Sequence, residues 1–223
     1  MMTDAVKITE LFDLKESQAG HYLSQFVYPW EALEGIRDFI DALGPTLPAD
    51  RYEQKGDHIW IAKSASVFDS AYIGDHTIIG EGTEVRHCAF IRQDALVGEG
   101  CVVGNSVELK NVILFNACEV PHYNYVGDAI LGFHAHMGAG SITSNIRSDR
   151  KNIIIHGNDR DYETGRRKIG AIIGDYAEIG CNAVLNPGSI IGPHAMVYPT
   201  TGFRGILPPY TICRDDGSRI EMK

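Results

Sequence analysis

The residues of this sequence that could do chemistry are concentrated in three stretches. They read Gly-Asn-Ser-Val-Glu-Leu-Lys over 104–110, Val-Pro-His-Tyr-Asn-Tyr-Val-Gly-Asp-Ala over 120–129, and Gly-Ala-Gly-Ser-Ile-Thr-Ser-Asn over 138–145. The imidazole of His122 is suited to accept a proton near neutral pH, because an unperturbed histidine has a pKa of ~6.5. The side chains of Arg92 and Lys110 are suited to bind phosphate oxygens. The backbone of the turn 138–140 is a candidate donor of N–H groups to an oxygen that gains negative charge.

These stretches lie within a repeat that predicts the fold. Aliphatic side chains recur at every sixth position in two blocks, with the pattern lost between them: Ile61, Val67, Ile73, Ile79, Val85, Ile91, Val97, Val103 and Leu109, then Ile173, Ile179, Leu185, Ile191 and Val197. Small residues precede them by two positions, and glycine often follows them directly, as suits a corner. A period of six fits neither an α-helix nor a continuous two-faced strand. It predicts a triangular coil in which each hexad forms one side and the aliphatic side chains point inward.

On these residues the sequence resembles the hexapeptide-repeat acyltransferases, in particular the acetyltransferase half of the bifunctional bacterial N-acetylglucosamine-1-phosphate uridyltransferase/glucosamine-1-phosphate acetyltransferase. That family carries G-N-x-V-E-x-K, H-x-x-Y-x-G-D-A and G-A-G-T-I-T-x-N at the same intervals. The resemblance covers roughly residues 60 to 200. It implies an all-β solenoid, a left-handed parallel β-helix that assembles as a homotrimer. It also implies an acyl-CoA-dependent N-acyltransferase that uses acetyl-CoA as co-substrate and acts on an amino-sugar phosphate or sugar nucleotide, in UDP-N-acetylglucosamine biosynthesis.

The resemblance implies roles for individual residues around the predicted acceptor. His122 falls on the catalytic base of the family. Arg92, Lys110 and Tyr125 fall on groups that hold the sugar phosphate. Glu108 is expected to support either His122 or Lys110.

Further residues fall on the predicted coenzyme side or depart from the family pattern. Ala139, Asn145 and Lys151 fall on the side where coenzyme A lies. His136 stands where the related enzyme has an asparagine that contacts the sugar, and we assign it to substrate binding. Cys181 stands where that enzyme has a serine near the coenzyme. We assign Cys181 to a coenzyme-side contact or corner filling, because the family transfers acyl groups directly and needs no nucleophilic cysteine.

Segments outside the repeat are predicted to cover the solenoid or to leave it. Apolar residues at helical spacing predict a helix over about 30 to 43 and a weaker one over about 15 to 26. We expect residues 1–57 to form a helical cap on the first coil. Residues 58–223 then form the β-helix, with a C-terminal tail at 201–223.

Residues 144–170 are predicted to form an excursion loop or hairpin, with a turn signal at Gly157-Asn158-Asp159. From Arg147 to Lys168 this insertion carries seven Lys or Arg against four Asp or Glu, within a chain of net charge −9. It should therefore attract anions, although a solvated basic loop without function is the alternative.

The composition argues against several classes of protein. A net charge of −9 disfavours nucleic-acid binding, and no run approaches the ~18 apolar residues of a membrane span. The five cysteines include no Cys-x-x-Cys pair, so neither a disulfide framework nor a thiolate zinc site is predicted. We expect a protein of the reducing cytoplasm, with no membrane or nucleic-acid partner.

Two other functions remain open. One is a hexapeptide-fold carbonic anhydrase, because Arg92-Gln93-Asp94 resembles the R-x-D of that family and four histidines are available as metal ligands: His87, His122, His134 and His136. The spacing of these histidines departs from that family's pattern, so no metal site is predicted. The other is a non-catalytic sugar-nucleotide-binding or nucleotidyltransferase-associated protein. The altered positions His136 and Cys181 favour this alternative.

Overall fold

The computed structural model describes residues 5–157 and 160–222. In this part of the chain the α-helices are α1 (Ile8–Leu11), α2 (Gly20–Leu23), α3 (Pro29–Ala32) and α4 (Ile36–Leu43), with 3-10 turns at Leu14–Glu16 and Gly44–Thr46. None of the described helices has the length and apolar character needed to cross a membrane. The strands are β1 (Tyr52–Gly56), β2 (Ile59–Ala62), β3 (Ser66–Val67), β4 (Tyr72–Ile73), β5 (Thr77–Ile79), β6 (Glu84–Val85), β7 (Phe90–Val97), β8 (Val102–Asn105), β9 (Glu108–Leu114), β10 (Glu119–His122), β11 (Tyr125–Leu131), β12 (His136–Met137), β13 (Ile142–Thr143), β14 (Ile154–His156), β15 (Asp161–Glu163), β16 (Ala171–Ile173), β17 (Glu178–Ile179), β18 (Val184–Leu185), β19 (Ser189–Ile191), β20 (Met196–Val197), β21 (Gly202–Phe203), β22 (Ile206–Leu207), β23 (Thr211–Cys213) and β24 (Arg219–Glu221).

The strands wind into a three-sided coil whose successive turns pair in parallel. Side A consists of β3, β6, β8, β10, β12, β17, β20 and β23. Side B consists of β4, β13, β18, β21 and the first parts of the long strands β7, β9 and β11. Side C consists of β2, β5, β16, β19, β22 and the second parts of the same long strands. The chain is thus a left-handed parallel β-helix of about eight turns, which confirms the predicted fold class.

The inward ladder of aliphatic side chains continues through the region where the sequence pattern is lost. It runs on as Leu114, Val120, Val126, Leu131 and Met137, and the polar Thr143 takes the next position; all six are buried. Val97 pairs with Leu114, and Leu114 pairs with Leu131, so these coils contain one residue fewer than the 18 of the first coils. The six-residue pattern is lost in this part of the sequence because a fixed period of six cannot follow a coil that drops one residue at a corner.

The corners explain which positions require glycine. Where side B meets side C, successive coils place a residue in left-handed backbone, with φ between 49° and 56°, at His76, Asp94, Asn111 and Asp128. The predicted corner glycines lie elsewhere: a Cβ added to Gly104 would overlap the carbonyl of Pro121 in the next coil. Such a glycine is needed because neighbouring backbones approach closely and not because of its φ.

Side C is buried on both of its faces, which the sequence analysis did not anticipate. Its outward side chains form a second apolar layer that consists of Trp60, Ile78, Leu96, Ile113, Ile130, Ile172, Ile190 and Ile206. The N-terminal helices and the insertion pack over this layer. A strand buried on both faces is apolar at consecutive positions, as in Val112-Ile113-Leu114.

Most of the N-terminal segment lies along side C, whereas the sequence analysis expected it to cap the first coil. The N–H of Asp13 donates to Oδ2 of Asp175 at 2.6 Å, and the carbonyl of Glu16 accepts from the N–H of Asn116 at 3.0 Å, both in the middle of the solenoid. The expected helix over 30–43 is split into α3 and α4, and only α2 and a 3-10 turn form in the expected helix over 15–26. The apolar outer layer of side C accounts for this course, while β1 pairs antiparallel with the edge of β2.

The insertion and the C-terminal segment are both integrated into the fold. Residues 144–170 contain the expected hairpin, in which β14 and β15 pair antiparallel, while Asn158 and Asp159 of the turn signal lie outside the described residues. Ile153 and Ile155 of the insertion are buried against the side C layer. The expected tail 201–223 instead adds a further coil through β21, β22 and β23, and β24 pairs antiparallel with β23.

Candidate active site

The corner between sides A and B aligns three residues that the sequence analysis assigned to catalysis and coenzyme binding. His122 ends β10, and its carbonyl accepts the N–H of Gly140 in the next coil at 3.0 Å. The carbonyl of Ala139 in turn accepts the N–H of Asn182 at 2.8 Å. His122, Ala139 and Cys181 therefore occupy equivalent positions in three successive coils, about 4.8 Å apart per coil. We call this set the A–B corner. His122 and Cys181 are exposed.

Side B, which adjoins this corner, carries the residues predicted to hold the sugar phosphate. Tyr125 in β11 pairs with Glu108 in β9, and Lys110 lies two residues further along β9. Arg92 lies on the preceding coil in β7. The fold thus brings Arg92, Lys110 and Tyr125 onto one side of the prism, with His122 at its edge.

Arg92 stands at an irregularity of β7. The register pairs Ile91 with Leu109 but Gln93 with Lys110, so Arg92 is the extra residue of a bulge. Its Nη1 atom lies 3.5 Å from Oε1 of Glu108, and both side chains remain partly exposed. Bulges redirect side chains next to functional sites, and here the bulge occurs at a predicted phosphate ligand. Glu108 thus contacts Arg92, whereas the sequence analysis expected it to support His122 or Lys110.

The carboxylate of Asp128 organises side B, and sequence reasoning missed it as a site residue. Only 4% of Asp128 is exposed. It accepts hydrogen bonds from Nζ of Lys110 at 3.2 Å, from Nδ2 of Asn111 at 2.9 Å and from Nδ2 of Asn145 at 2.6 Å. Asp94, Asn111, Asp128 and Asn145 are spaced by 17 residues, one coil, and this polar spacing is the signal that could have revealed the cluster.

Tyr125 is held as a neutral phenol beside this carboxylate. Burial is the largest cause that raises the pKa of Tyr125, and the carboxylates of Asp128 and Glu108 raise it further. Its ring folds over Gly127, where a Cβ would lie 2.5 Å from the hydroxyl oxygen. The hydroxyl accepts Nδ2 of Asn145 at 3.1 Å, which leaves its own hydrogen to donate to a bound anion.

Asn145 lies with the predicted substrate residues and not beside Ala139, although the sequence analysis assigned both to the coenzyme side. The two positions are six residues apart, and a hexad forms one side of the prism. Ala139 is therefore at the A–B corner, while Asn145 is at the corner between sides B and C.

Asn124 is a second residue that the sequence analysis quoted but left without a role. It is 2% exposed. Its Oδ1 accepts the N–H of His122 at 3.1 Å, and its Nδ2 donates to the carbonyls of Gly138 and Ser141 at 2.8 and 3.1 Å. A buried amide therefore ties the backbone of His122 to the turn of the next coil.

The turn 138–140 offers one N–H to an incoming group. The N–H groups of Gly138 and Gly140 donate to the carbonyls of Ile179 and His122 at 2.7 and 3.0 Å. Within the described residues the N–H of Ala139 has no backbone acceptor. Of the three donors expected from this turn, Ala139 is the one that could contact a developing oxyanion.

Two predicted site residues lie apart from this group. His136 is on side A, where its Nδ1 is 2.8 Å from Oε2 of Glu178. Lys151 is exposed on the insertion, and its backbone N–H donates to Oδ1 of Asp149 at 3.2 Å. Neither side chain joins side B in this chain.

The insertion also borders a cleft of about 320 Å³ at the end of side B. It is lined by Ser144, Arg147, His156, Asn186 and Arg204, among others. Arg147 is already engaged by Asp149 through two bonds of 2.9 and 2.8 Å, which reduces the charge available to an anion.

The four histidines considered for a carbonic anhydrase have separate surroundings. His87 packs on Phe68, His134 stacks on Tyr176, and His136 pairs with Glu178. Asp94 binds Arg37 through bonds of 2.8 and 3.2 Å. In the described ranges these histidines form no group that could hold a metal ion.

Known proteins match part of the chain. No family model matches it. A bifunctional sugar-1-phosphate nucleotidylyltransferase/acetyltransferase of Sulfurisphaera tokodaii is 36% identical over 97 residues, which cover 44% of this chain and 24% of that protein. The bifunctional protein GlmU of Methanococcus maripaludis is 39% identical over 95 residues, which cover 43% and 23%. The chain thus matches about a quarter of the length of these relatives.

Solved structures with a similar chain course include three transferases. The acetyltransferase domain of PglB from Neisseria gonorrhoeae, in complex with acetyl coenzyme A, has a TM-score of 0.33 at 15% identity and covers 71% of this chain and 55% of its own. PerB from Caulobacter crescentus, with CoA and GDP-perosamine, has a TM-score of 0.28 at 16% identity, with coverages of 70% and 54%. AntD, an N-acyltransferase from Bacillus cereus, has a TM-score of 0.37 at 13% identity, with coverages of 78% and 91%.

The coil and its repeat define this chain as a hexapeptide-repeat, left-handed β-helix protein. Its sequence relatives are bifunctional sugar-1-phosphate nucleotidylyltransferase/acetyltransferases, so the resemblance drawn from the three motifs is confirmed.

Proposed function

We propose that this chain is an acyl-CoA-dependent N-acyltransferase that transfers an acetyl group from acetyl-CoA to the amine of a sugar phosphate or sugar nucleotide. The observation that carries the proposal is the position of His122. Its imidazole is exposed at the A–B corner, in line with Ala139 and Cys181, and adjoins the side that bears Arg92 and Lys110. Similarity to sugar-1-phosphate nucleotidylyltransferase/acetyltransferases supports the same activity.

The chemistry follows from this arrangement. An amine arrives mainly as an ammonium ion and must lose a proton before it can attack a thioester. In the proposed reaction the ammonium first releases one proton to solvent, and the imidazole of His122 then accepts a second proton from the nitrogen as the nitrogen forms a bond to the acyl carbon. The thioester oxygen gains negative charge during the attack and accepts a hydrogen bond from the N–H of Ala139. The C–S bond then breaks, and the coenzyme thiolate takes the proton back from His122.

Arg92, Lys110 and Tyr125 are proposed to fix the acceptor by its phosphate. Arg92 at the bulge supplies a planar guanidinium, and Tyr125 supplies a hydroxyl hydrogen. Lys110 is held by Asp128, so its ammonium group is positioned before substrate binds. Ala139 and Cys181 mark the proposed course of the coenzyme along the A–B corner.

A thiol-release assay tests the proposal. Protein is incubated with acetyl-CoA and glucosamine 1-phosphate, and free coenzyme A is measured for the wild type, His122→Ala and His134→Ala. We expect His122→Ala to lower kcat by about 10²–10⁴-fold, the range found for general bases. His134→Ala is the matched control, because His134 is also exposed but lies at another corner, against Tyr176.

Three outcomes would distinguish the proposed acyltransferase from the alternative functions. Equal thiol release from wild type and His122→Ala would refute the role of His122. Binding of the sugar phosphate without any thiol release, with a panel of amino-sugar phosphates and nucleotides, would favour the non-catalytic sugar-nucleotide-binding protein. Release without loss of the acceptor amine would indicate thioester hydrolysis.

We further propose that the protein is a cytoplasmic homotrimer that serves UDP-N-acetylglucosamine biosynthesis. The trimer rests on the resemblance and on the basic insertion, whose Lys151 we propose to reach the A–B corner of a neighbouring chain. The insertion that bears Lys151 leaves the coil at the other end of side B. Light scattering should give a mass near three times 24.5 kDa, and a mass of 24.5 kDa would count against the trimer.

A further inference from the structure

A group of nitrogen and oxygen ligands lies where α4 crosses the corner between sides B and C. His58 and His76 occupy equivalent positions in the first two coils, 18 residues apart. Above them, α4 presents Arg37 and Asp41, which are four residues apart and therefore share one face of the helix. Arg37 binds Asp94 in the third coil, so α4 faces His58 and His76 with Asp41.

Three side chains converge on one point at this junction. Nδ1 of His58 is 2.9 Å from Oδ1 of Asp41, and Nδ1 of His76 is 2.8 Å from the same oxygen. The two imidazole rings are 4.5 Å apart, and one ligand atom from each of the three residues lies within 4.8 Å of the others. These three residues form the one group of this kind in the part of the chain that the structure describes.

We propose that Asp41, His58 and His76 bind a divalent transition-metal cation of the zinc class. Two imidazole nitrogens and one carboxylate oxygen are a donor set that Zn²⁺ accepts in a tetrahedral site. Ligands at ~2.0–2.1 Å from zinc lie roughly 3.3 Å apart, so each histidine Nδ1 needs to move about 0.5 Å away from the oxygen of Asp41. The side chains are 29%, 44% and 19% exposed, which leaves solvent access for entry and for a water as fourth ligand.

The cation would fasten the N-terminal segment to the solenoid. Asp41 belongs to α4, whereas the two histidines belong to the coil. A shared ion therefore cross-links elements that are otherwise joined by packing, by the hydrogen bonds of Asp41 and by the pair of Arg37 and Asp94. The site is separate from the A–B corner, and its role is structural. It stands independently of the proposed acyltransferase activity.

Metal titration of the full, tag-free chain tests the site. Protein is stripped with a chelator, dialysed, and titrated with Zn²⁺ by calorimetry, and its zinc content is measured after gel filtration. We expect close to one zinc per chain and, at a 100-fold excess over Kd, a rise in Tm of roughly 5–10 °C. His58→Asn and His76→Asn should each weaken zinc binding by at least about 100-fold, because even the loss of a ligand's supporting partner weakens binding 10–100-fold.

His156→Asn is the matched control. His156 also has Nδ1 2.9 Å from an aspartate oxygen, that of Asp161, but this pair includes a single imidazole. The variant should keep the stoichiometry and the zinc-dependent rise in Tm. Wild-type protein that takes up no zinc, or variants at His58 and His76 that bind zinc as the wild type does, would overturn the proposal and leave a hydrogen-bonded cluster. The wild-type titration decides the matter even if a variant fails to fold.

Discussion

Replacing Asp128 by asparagine should destabilise the fold and weaken binding of the proposed acceptor. The carboxylate accepts bonds from Lys110, Asn111 and Asn145 while its side chain is 6% exposed. Asparagine tolerates the left-handed backbone at φ 49° as aspartate does, so the exchange removes charge and one acceptor atom without straining the corner. The new amide group faces one of the three donors and leaves it without an acceptor.

The size of the effect follows from these contacts. A hydrogen bond to a charged group contributes about 1.5–3 kcal/mol, and partial exposure of Lys110 reduces its share. We expect Asp128→Asn to lower the free energy of unfolding by ~2–4 kcal/mol. Because Lys110 loses its anchor, KM for the sugar phosphate should rise about 10-fold, a loss of ~1.4 kcal/mol in binding, while kcat changes less.

Urea unfolding and steady-state kinetics measure both effects. Glu108→Gln is the control: it also removes one negative charge from side B, but Glu108 makes a single contact of 3.5 Å with Arg92 and is 32% exposed. It should change the free energy of unfolding by less than about 0.5 kcal/mol. If Asp128→Asn and Glu108→Gln unfold at the same urea concentration, the assignment of Asp128 as the organising residue of side B is wrong.

Three further predictions concern the fold around the site. Ile113→Ala should lower the free energy of unfolding by about 2–5 kcal/mol, because the side chain of Ile113 is fully buried in the outer layer of side C. Val184→Ala, at an outward position that is 37% exposed, should lower it by less than about 0.5 kcal/mol. Similar losses for the two variants would refute the second apolar layer. Asn124→Ala should lower the free energy of unfolding by about 2–4 kcal/mol and should also lower kcat, because the amide of Asn124 joins the backbone of His122 to the turn of the next coil. Unchanged values would show that the A–B corner does not depend on this amide. Burial raises the pKa of Tyr22 to about 12, so the contribution of its neutral hydroxyl to stability is complete below pH 10 and is lost as the pH rises towards 12. The Tm should therefore decline less steeply at alkaline pH for Tyr22→Phe than for the wild type. Parallel curves of Tm against pH would contradict this.

The repeat and the motif residues could be predicted from the sequence because both depend on local spacing. One inward aliphatic side chain per hexad is enough to define a three-sided coil. The positions of His122, Lys110 and Tyr125 within their hexads then determine which corner or side each one occupies. For the same reason Asn145, which lies six residues after Ala139, belongs to the opposite corner.

Contacts between distant segments could not be derived in this way. The sequence contains the consecutive apolar residues of side C, but no pattern in it indicates that an N-terminal segment and an insertion cover them. Asp128 became a site residue only when coils of 17 residues placed Asn111 and Asn145 above and below it.

The sequence alone therefore determined the coil and the inward ladder of its two repeat blocks, because these depend on a period that each hexad repeats, and the three motifs indicated where the predicted chemistry lies. Tertiary structure decided the second core on side C, the buried bonds of Asp128 and Asn124, and the meeting of Asp41 with His58 and His76. Each of these depends on how coils stack and on where non-repeating segments find an apolar surface to bury, which no single hexad encodes.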